Sequence, residues 1–321
     1  MVNQMQPKVI IHGGAGSALH GQKIVDSVRH SLHSIVEEVY ELLNQGGTAM
    51  DAVMKGAQLL EDEPRFNAGT GSVLQSDGQI RMSASLMEGA AQRFSGVINV
   101  SLIKNPSQLA KVLQDETDRV LSDRGATEFL RELQIPSHDP LTEVRLQEWI
   151  QERRAQFHLH RAMGVVAEPE IAIPIMPQEA RRGTIGVVAL DSSGNLVAGT
   201  STGGKGLERI GRVSDSAMPA GNYANAHAAI SCTGIGEDII DECLAAKIVI
   251  RVTDGMSLKQ AFDRSFAECN DRERDLGAIG IDSTGAIAFG KTSEVILSAF
   301  HDGERIGDSL EMEKGTQTIL I

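Results

Sequence analysis

The chain is short of aromatic side chains. It has eight Phe, two Tyr and one Trp, 3% of its 321 residues. A core must therefore come from Ala, Val, Ile and Leu, and a chain of this length can bury a large one. Cysteine is equally scarce. Cys232, Cys243 and Cys269 are odd in number and lack CxxC or metal-ligand spacing, which excludes a disulfide framework and fits a reducing compartment. Positive charge is also in deficit: the net charge of −13 excludes the clustered Lys and Arg that nucleic-acid phosphates require. No apolar run approaches the ~20 residues of a membrane span. The start, MVNQMQPKVIIHGG, has no charged segment leading into an apolar one, so no secretion signal is expected. These absences predict a cytoplasmic globular protein with no nucleic-acid or membrane partner.

What is abundant is glycine, 33 residues, and much of it stands beside threonine. Gly183-Thr184-Ile185-Gly186 opens a strand-like run to Leu190. A turn at Asp191-Ser192-Ser193-Gly194-Asn195 returns the chain along Leu196 to Thr202-Gly203-Gly204. A threonine at the start of a strand, next to glycine, can be freed by cutting the bond before it. It then carries a hydroxyl and an α-amine of reference pKa about 7.7–8.0, a nucleophile and a base on one residue. Ser231-Cys232-Thr233-Gly234 adds a hydroxyl and a backbone N–H suited to an oxyanion. Arg212 and Asp215 are three residues apart in GRVSDS. They form either a clasp for the two charged groups of an amino acid or a surface ion pair.

The remaining pattern supplies a scaffold. Val9–Ile11 is a strand entering HGGAG. Apolar positions Ile24, Val28, Leu32, Ile35, Val39, Leu42 and Leu43 stripe a long helix. Thr48 and Asp51 form a capping box for a helix over 49–62, which Pro64 stops. Residues 72–87 read as strand, turn at Ser76-Asp77-Gly78, and strand. Residues 97–103 read as a further strand. Asn105-Pro106 and Asp139-Pro140 each start a helix. Residues from about 151 to 183, with prolines at 169, 174 and 177, read as a mobile linker ending at the cut site. A second hairpin at 278–288 repeats the strand-Asp-Ser-x-Gly-strand form, with helices at 237–252 and 257–270 before it. Stacked sheets covered by helices on both outer faces follow.

Taken together, IHGGAG (11–16), FNAGTGSV (66–73), SLMEG (85–89), IKNP (103–106), GTIGVVALDSSGNL (183–196), TSTGG (200–204), GRVSDS (211–216) and SCTGIGE (231–237) resemble the plant-type asparaginase/isoaspartyl peptidase family of N-terminal-nucleophile hydrolases. The resemblance implies an α+β fold, a four-layer αββα sandwich, in one domain spanning 1–321. It implies self-cleavage between Gly183 and Thr184 into an α subunit (1–183) and a β subunit (184–321), paired as a homodimer of αβ units. Thr184 would be the nucleophile and Thr202 its hydrogen-bond partner. Thr233 and Gly234 would hold the oxyanion. Arg212, Asp215, Gly234 and Asn67 would bind or support the substrate, a small β-aspartyl dipeptide or L-asparagine that releases L-aspartate. No cofactor serves catalysis. Main-chain carbonyls of Leu60, Glu61, Glu63, Phe66, Ala68 and Thr70 would hold a structural sodium ion.

The chain departs from the family pattern at Ser83, usually Asp, and in the shorter loop Ser216–Asn222. It departs again at 274–278 and 291–295, which bear on the substrate. A related hydrolase acting on N-glycosylated asparagine is one alternative. Another is a serine esterase of the α/β-hydrolase type, reading Gly199-Thr200-Ser201-Thr202-Gly203 as G-x-S-x-G with Ser201, Asp275 and His227 or His301. His158-x-His160 lacks a further ligand at metal spacing, HGGAG lacks the Lys-Ser/Thr of a phosphate loop, and His12 is expected to have no catalytic part.

Overall fold

The computed structural model describes residues 5–19, 21–155 and 183–319. The chain opens with β1 (Lys8–Gly16), α1 (Gln22–Asn44) and α2 (Ala49–Asp62). There follow β2 (Met82–Glu88), β3 (Arg93–Val100), α3 (Pro106–Leu113), β4 (Val120–Ser122), α4 (Asp123–Glu132) and α5 (Glu143–Arg154). From residue 185 onward come β5 (Ile185–Leu190), β6 (Leu196–Thr202), β7 (Asn222–Ala224), β8 (Ala228–Gly234), α6 (Gly236–Glu242), α7 (Leu244–Thr253) and α8 (Leu258–Asp271). The chain closes with β9 (Leu276–Asp282), β10 (Ile287–Lys291), β11 (Val295–His301), β12 (Ile306–Asp308) and β13 (Gly315–Ile319).

Eight strands form one sheet in the order β12-β11-β1-β5-β6-β2-β3-β4, and five form the other, β13-β10-β9-β8-β7. The apolar pattern explains why they stack. Ile11, Val187, Ala189 and Val197 turn one face of the large sheet onto Val28, Leu32, Val39, Val53 and Ala57 of α1 and α2. The alternate residues Ile10, Val188, Leu190 and Ala198 meet Ala229, Ile279, Ile281 and Phe289 of the small sheet. The outer face of the small sheet buries Ile230, Ala278 and Ala288 against Ile248, Val249, Phe262 and Phe266 of α7 and α8. The central strands thus have two buried faces, as a four-layer αββα sandwich demands, while β4, β12 and β13 at the edges are only partly buried. With so few aromatics, aliphatic residues make up most of each interface, joined by a few Phe.

The capping box of α2 forms as read: Thr48 Oγ1 accepts from Asp51 N (3.1 Å), and Thr48 N donates to Asp51 Oδ2 (3.2 Å). Other readings need correction. Residues 72–75 are not a strand, because their backbone binds loops instead of a neighbouring strand. Val73 N donates to Asn67 Oδ1 (3.0 Å), and Leu74 O accepts from Leu207 N (2.9 Å). The strand expected at 97–103 ends at Val100 and starts at Arg93. The helix expected at Asp139-Pro140 starts at Glu143, where Thr142 caps Arg145 N. Residues 151–154, assigned to a linker, are the last turn of α5. Residues 156–182 lie outside the described residues, and with them the rest of that linker, His158 and His160. The helix expected over 237–252 is two helices, broken at Cys243 with φ +46°.

Candidate active site

Three rows of side chains fill the gap between the sheets, and their polarity changes from one end to the other. Ile10, Val188 and Ala198 are the apolar row. Two residues along each strand come His12, Gly186 and Thr200. Beyond them come Thr184, next to β5, and Thr202 of β6, while β1 breaks register between His12 and Ala15. The alternation that buries the core therefore delivers hydroxyls at the open ends of the same strands.

In the last row Thr184 Oγ1 donates to Thr202 Oγ1 at 3.1 Å, and Thr202 Oγ1 also accepts from Gly204 N at 3.1 Å. Both threonines are buried. Gly183 lies across from them at φ +65°, left-handed backbone that favours glycine. Its carbonyl accepts from Asn67 N at 3.2 Å. A Cβ on Gly183 would sit 3.2 Å from Thr233 Oγ1, a buried hydroxyl with no hydrogen-bond partner. The Gly183–Thr184 peptide is thus flanked by the Thr184 hydroxyl partner, an N–H on the carbonyl, and an unengaged hydroxyl. Asn67 locks this corner: its Nδ2 donates to Gly204 O (2.6 Å) and its carbonyl accepts from Gly203 N (2.8 Å).

Thr233 ends β8 with Gly234, whose φ is +128° and whose missing Cβ leaves room for Asp275 O. Two residues on, a Cβ at Gly236 would fall 2.6 Å from Arg212 Nη2 and 2.7 Å from Asp215 Oδ1. The stretch 233–236 therefore lies beside Gly183 at one end and the Arg212/Asp215 pair at the other. Of the two readings of that pair, the surface one is corrected for Asp215. It is buried, with Oδ2 unpartnered and Ser214 Oγ on Oδ1 (3.2 Å). Burial pushes its carboxyl up to about 6, against the pull of Arg212. Arg212 itself donates to Glu237, and Asn99 Nδ2 holds its carbonyl at 3.0 Å. Ser83 Oγ in turn accepts from Asn99 N (3.1 Å), so this departure from the family pattern supports the Arg212 segment. Of the other three departures, those at 274–278 and 291–295 also satisfy their own polar groups. Arg274 pairs with Asp238, Asp241 and Glu242, and Thr292 Oγ1 donates to Arg274 O (2.6 Å).

The middle row is the part the sequence reading missed. His12 Nε2 lies 3.0 Å from Ser231 Oγ, which lies 2.7 Å from Thr200 Oγ1. Burial drives the imidazole down to about 3, so it is neutral. Gly186 makes room for it; a Cβ there would run into both Ser231 Oγ and His12 Nε2. A polar chain beneath the Thr184–Thr202 pair thus spans both sheets. The alternating pattern of β1 was the available signal, since it places His12 on the same face as Ile10.

Ser201 faces the other way. It sits inside β6, fully buried, followed by a loop and not a helix, with Gly199 on the same face packed at Val53 of α2. His227 and Asp275 are exposed, and His301 stacks on Tyr40 at a ring distance of 3.5 Å. The nucleophile elbow and triad of an α/β-hydrolase are not assembled, because strand alternation turns Ser201 away from the Thr184 row.

Below the site, the 60–70 loop closes on itself: Thr70 N donates to Glu61 O (2.8 Å) and Phe66 N to Glu63 O (3.1 Å). Each carbonyl keeps a second lone pair, and neutral main-chain oxygens suit a hard cation better than a transition metal. The Glu61 carboxylate accepts from Ser107 N (3.1 Å) and Oγ (2.8 Å), and burial pushes it up to about 7. Among the described residues, no group of three or more His, Cys, Asp and Glu could hold a metal, and no helix is long and apolar enough to cross a membrane.

Comparison with known proteins agrees with this geometry. The chain is 68% identical over 317 residues to an isoaspartyl peptidase/L-asparaginase of Nostoc sp., covering 99% of this chain and 98% of that protein. A protein of the same name from Synechocystis sp. is 61% identical over 311 residues, 97% of this chain and 92% of its own length. A plant-type L-asparaginase of Pyrococcus horikoshii is 34% identical over 302 residues, covering 91% and 95%. Residues 5–311 match the family described as asparaginase, and the chain belongs to that family.

Proposed function

We propose that this chain is a self-processing threonine amidohydrolase that releases L-aspartate from β-aspartyl dipeptides and L-asparagine. The observation that carries the reading is the Thr184–Thr202 hydroxyl pair at 3.1 Å, set beside a Gly183 carbonyl that accepts from Asn67 N. In processing, Thr184 Oγ1 attacks the Gly183 carbonyl carbon. Asn67 N–H stabilises the oxygen as it gains charge. The C–N bond breaks, its nitrogen takes the proton lost by the hydroxyl, and an ester joins Gly183 to Thr184. Water cleaves the ester, leaving Gly183 with a carboxylate and Thr184 with a free amine.

In turnover the same hydroxyl attacks the side-chain carbonyl of the substrate. The free amine, of reference pKa about 7.7–8.0, accepts the proton and delivers it to the departing nitrogen. Thr233 Oγ1 and Gly234 N–H hold the oxyanion, each such donor worth ~3 kcal/mol. Arg212 receives the α-carboxylate and Asp215 the α-ammonium; the unpartnered Asp215 Oδ2 supports that role. Water then frees aspartate from Thr184.

The finer assembly is part of the same proposal. Cleaved αβ units pair as a homodimer in the cytoplasm, which the three unpaired thiols fit. Carbonyls of Leu60, Glu61, Glu63, Phe66, Ala68 and Thr70 hold a structural sodium that steadies the loop carrying Asn67. The experiment is direct. Purified protein on a denaturing gel should give fragments of roughly 20 and 15 kDa from the 34.4 kDa chain. N-terminal sequencing should read Thr-Ile-Gly-Val, and the protein should release aspartate from β-aspartyl dipeptides. A single uncut band that still releases aspartate would refute the mechanism.

A further inference from the structure

Arg212 is held from two directions. Its backbone carbonyl accepts from Asn99 Nδ2 at 3.0 Å. At the other end, its Nε donates to Glu237 Oε1 at 3.1 Å and its Nη2 to Glu237 Oε2 at 3.0 Å. A guanidinium has five N–H groups in a rigid plane and two edges that can each grip a carboxylate. Glu237 takes the Nε–Nη2 edge. The Nη1 donors and the second Nη2 hydrogen form the remaining edge.

Burial says which way that edge turns. The Glu237 side chain is 50% exposed and the Arg212 side chain 13%. Glu237 therefore covers the guanidinium from the solvent side. Lys205 Nζ, 3.7 Å from Glu237 Oε1, shares the same carboxylate. The inner side of Arg212 is marked by Gly236, which brings Nη2 and Asp215 Oδ1 to one point of backbone. The Nη2 end of Arg212 and the Asp215 carboxylate thus come together beside Gly236, with Oδ1 turned to that point and the unpartnered Oδ2 turned to Gly221.

We infer that Glu237 is a positioning residue for substrate recognition. It clamps the outer edge of Arg212 so that the inner edge meets the α-carboxylate of the substrate beside Asp215. The inference rests on the β-aspartyl reading given above. Exposed ion pairs of this kind contribute little by themselves, so the contribution of Glu237 is geometric: without it a long, flexible arginine samples other rotamers and the fork is no longer preformed.

The test uses the full-length, self-processed enzyme with Glu237→Ala and Glu237→Gln. Kinetics on a β-aspartyl dipeptide are combined with inhibition by L-aspartate and by β-alanine, which is aspartate without its α-carboxylate. For Glu237→Ala, KM and the L-aspartate inhibition constant should rise about tenfold, short of the ~100-fold a 1 Å misplacement can cost. The turnover number should stay within about twofold, since no reacting atom is touched. The β-alanine constant should not change. Glu237→Gln, which keeps one acceptor, should fall between. An unchanged KM overturns the inference, and so does a lowered one, which would make Glu237 a competitor for the fork. Equal weakening of both inhibitors also overturns it. If the wild-type enzyme hydrolyses no β-aspartyl substrate, the parent reading falls and this one with it; normal wild-type turnover with an unchanged variant removes this one alone.

Discussion

The hairpins β5–β6 and β9–β10 are built on the same local recipe in opposite sheets, and only the first leads into the Thr184–Thr202 hydroxyl pair. In the first, Asp191 Oδ1 accepts from Ser193 N (2.9 Å) and Asn195 N (3.0 Å). In the second, Asp282 Oδ1 accepts from Thr284 N (2.9 Å) and Ala286 N (3.1 Å). Both are Asx turns closed by glycine. The inward residues near each turn are apolar: Val188 and Ala198 in one, Ile279, Ile281 and Ile287 in the other. They diverge at the far end. β5–β6 continues into Gly186/Thr200, with the Thr184–Thr202 hydroxyl pair beyond it, whereas β9–β10 passes through Ile279/Phe289 and ends at Gly277/Lys291, whose Nζ donates to the Glu294 carbonyl. The turn makes the hairpin, and the strand end opposite the turn decides whether it becomes a site.

The largest expected break in this comparison is Thr184→Ala. It should leave one uncut chain with no measurable aspartate release, while thermal unfolding stays near wild type. Processing seen by intact mass in that variant would contradict the assignment.

Next come matched glycines. At Gly186 an added methyl meets His12 Nε2 and Ser231 Oγ, both fixed in the polar row, whereas at Gly280 the nearest atom is the rotatable Ile230 Cδ1. Gly186→Ala should slow both processing and turnover by about 100-fold, the scale of a 1 Å misplacement. Gly280→Ala should change neither by more than about twofold and should cost at most ~1–3 kcal/mol as overpacking. Equal effects in time-course gels and steady-state assays would erase the distinction between the hairpins.

A pH profile sharpens the chemical half. Asp215 must be ionised to receive an ammonium group, and its carboxyl lies at about 6. As pH drops below about 8, protonation of the Thr184 amine should lower kcat/KM toward tenfold per pH unit, and below about 6 protonation of Asp215 should steepen the fall toward hundredfold per unit, two protons in all. For stability the sign is opposite. A buried acid raised above its unfolded value, ~3.9, binds more protons folded than unfolded across that window. Stability should therefore decline as pH rises from about 4 to about 6, and Asp215→Asn should flatten that decline in thermal melts while abolishing substrate binding.

The smallest effects concern the turns. Asp282→Ala leaves two N–H groups unsatisfied and should cost about 1–3 kcal/mol in urea unfolding, with self-cleavage intact. Asp191→Ala should cost more, because Asp191 Oδ2 also accepts from Ala49 N at the start of α2 (3.1 Å). A smaller loss for Asp191 would mean that this tie contributes nothing.

These contrasts also explain what could be read from the chain beforehand. The hairpins, the capping box at Thr48 and the sandwich were legible because each rests on residues close in sequence or on strand alternation. The proposed set Thr184, Thr202, Thr233, Arg212 and Asp215 could be named from the chain because its members lie in short glycine-bearing motifs. His12 was passed over because its partner Ser231 is 219 residues away. Glu237 was missed because its meaning depends on which edge of Arg212 it grips. Residues 72–75 look like a strand but bind loops brought in from 67 and 207, and Cys243 breaks a helix in a backbone conformation its residue type does not announce. Long-range pairing, more than local propensity, separates expectation from structure in each case.

Gly183 rests against Thr233 with its carbonyl on Asn67, in the corner where we place the scissile amide of a substrate. If the chain cuts itself as proposed, a newly made molecule carries its own chain where a customer should sit; the severed end must then withdraw, and activity should ripen after scission at a pace set by that departure.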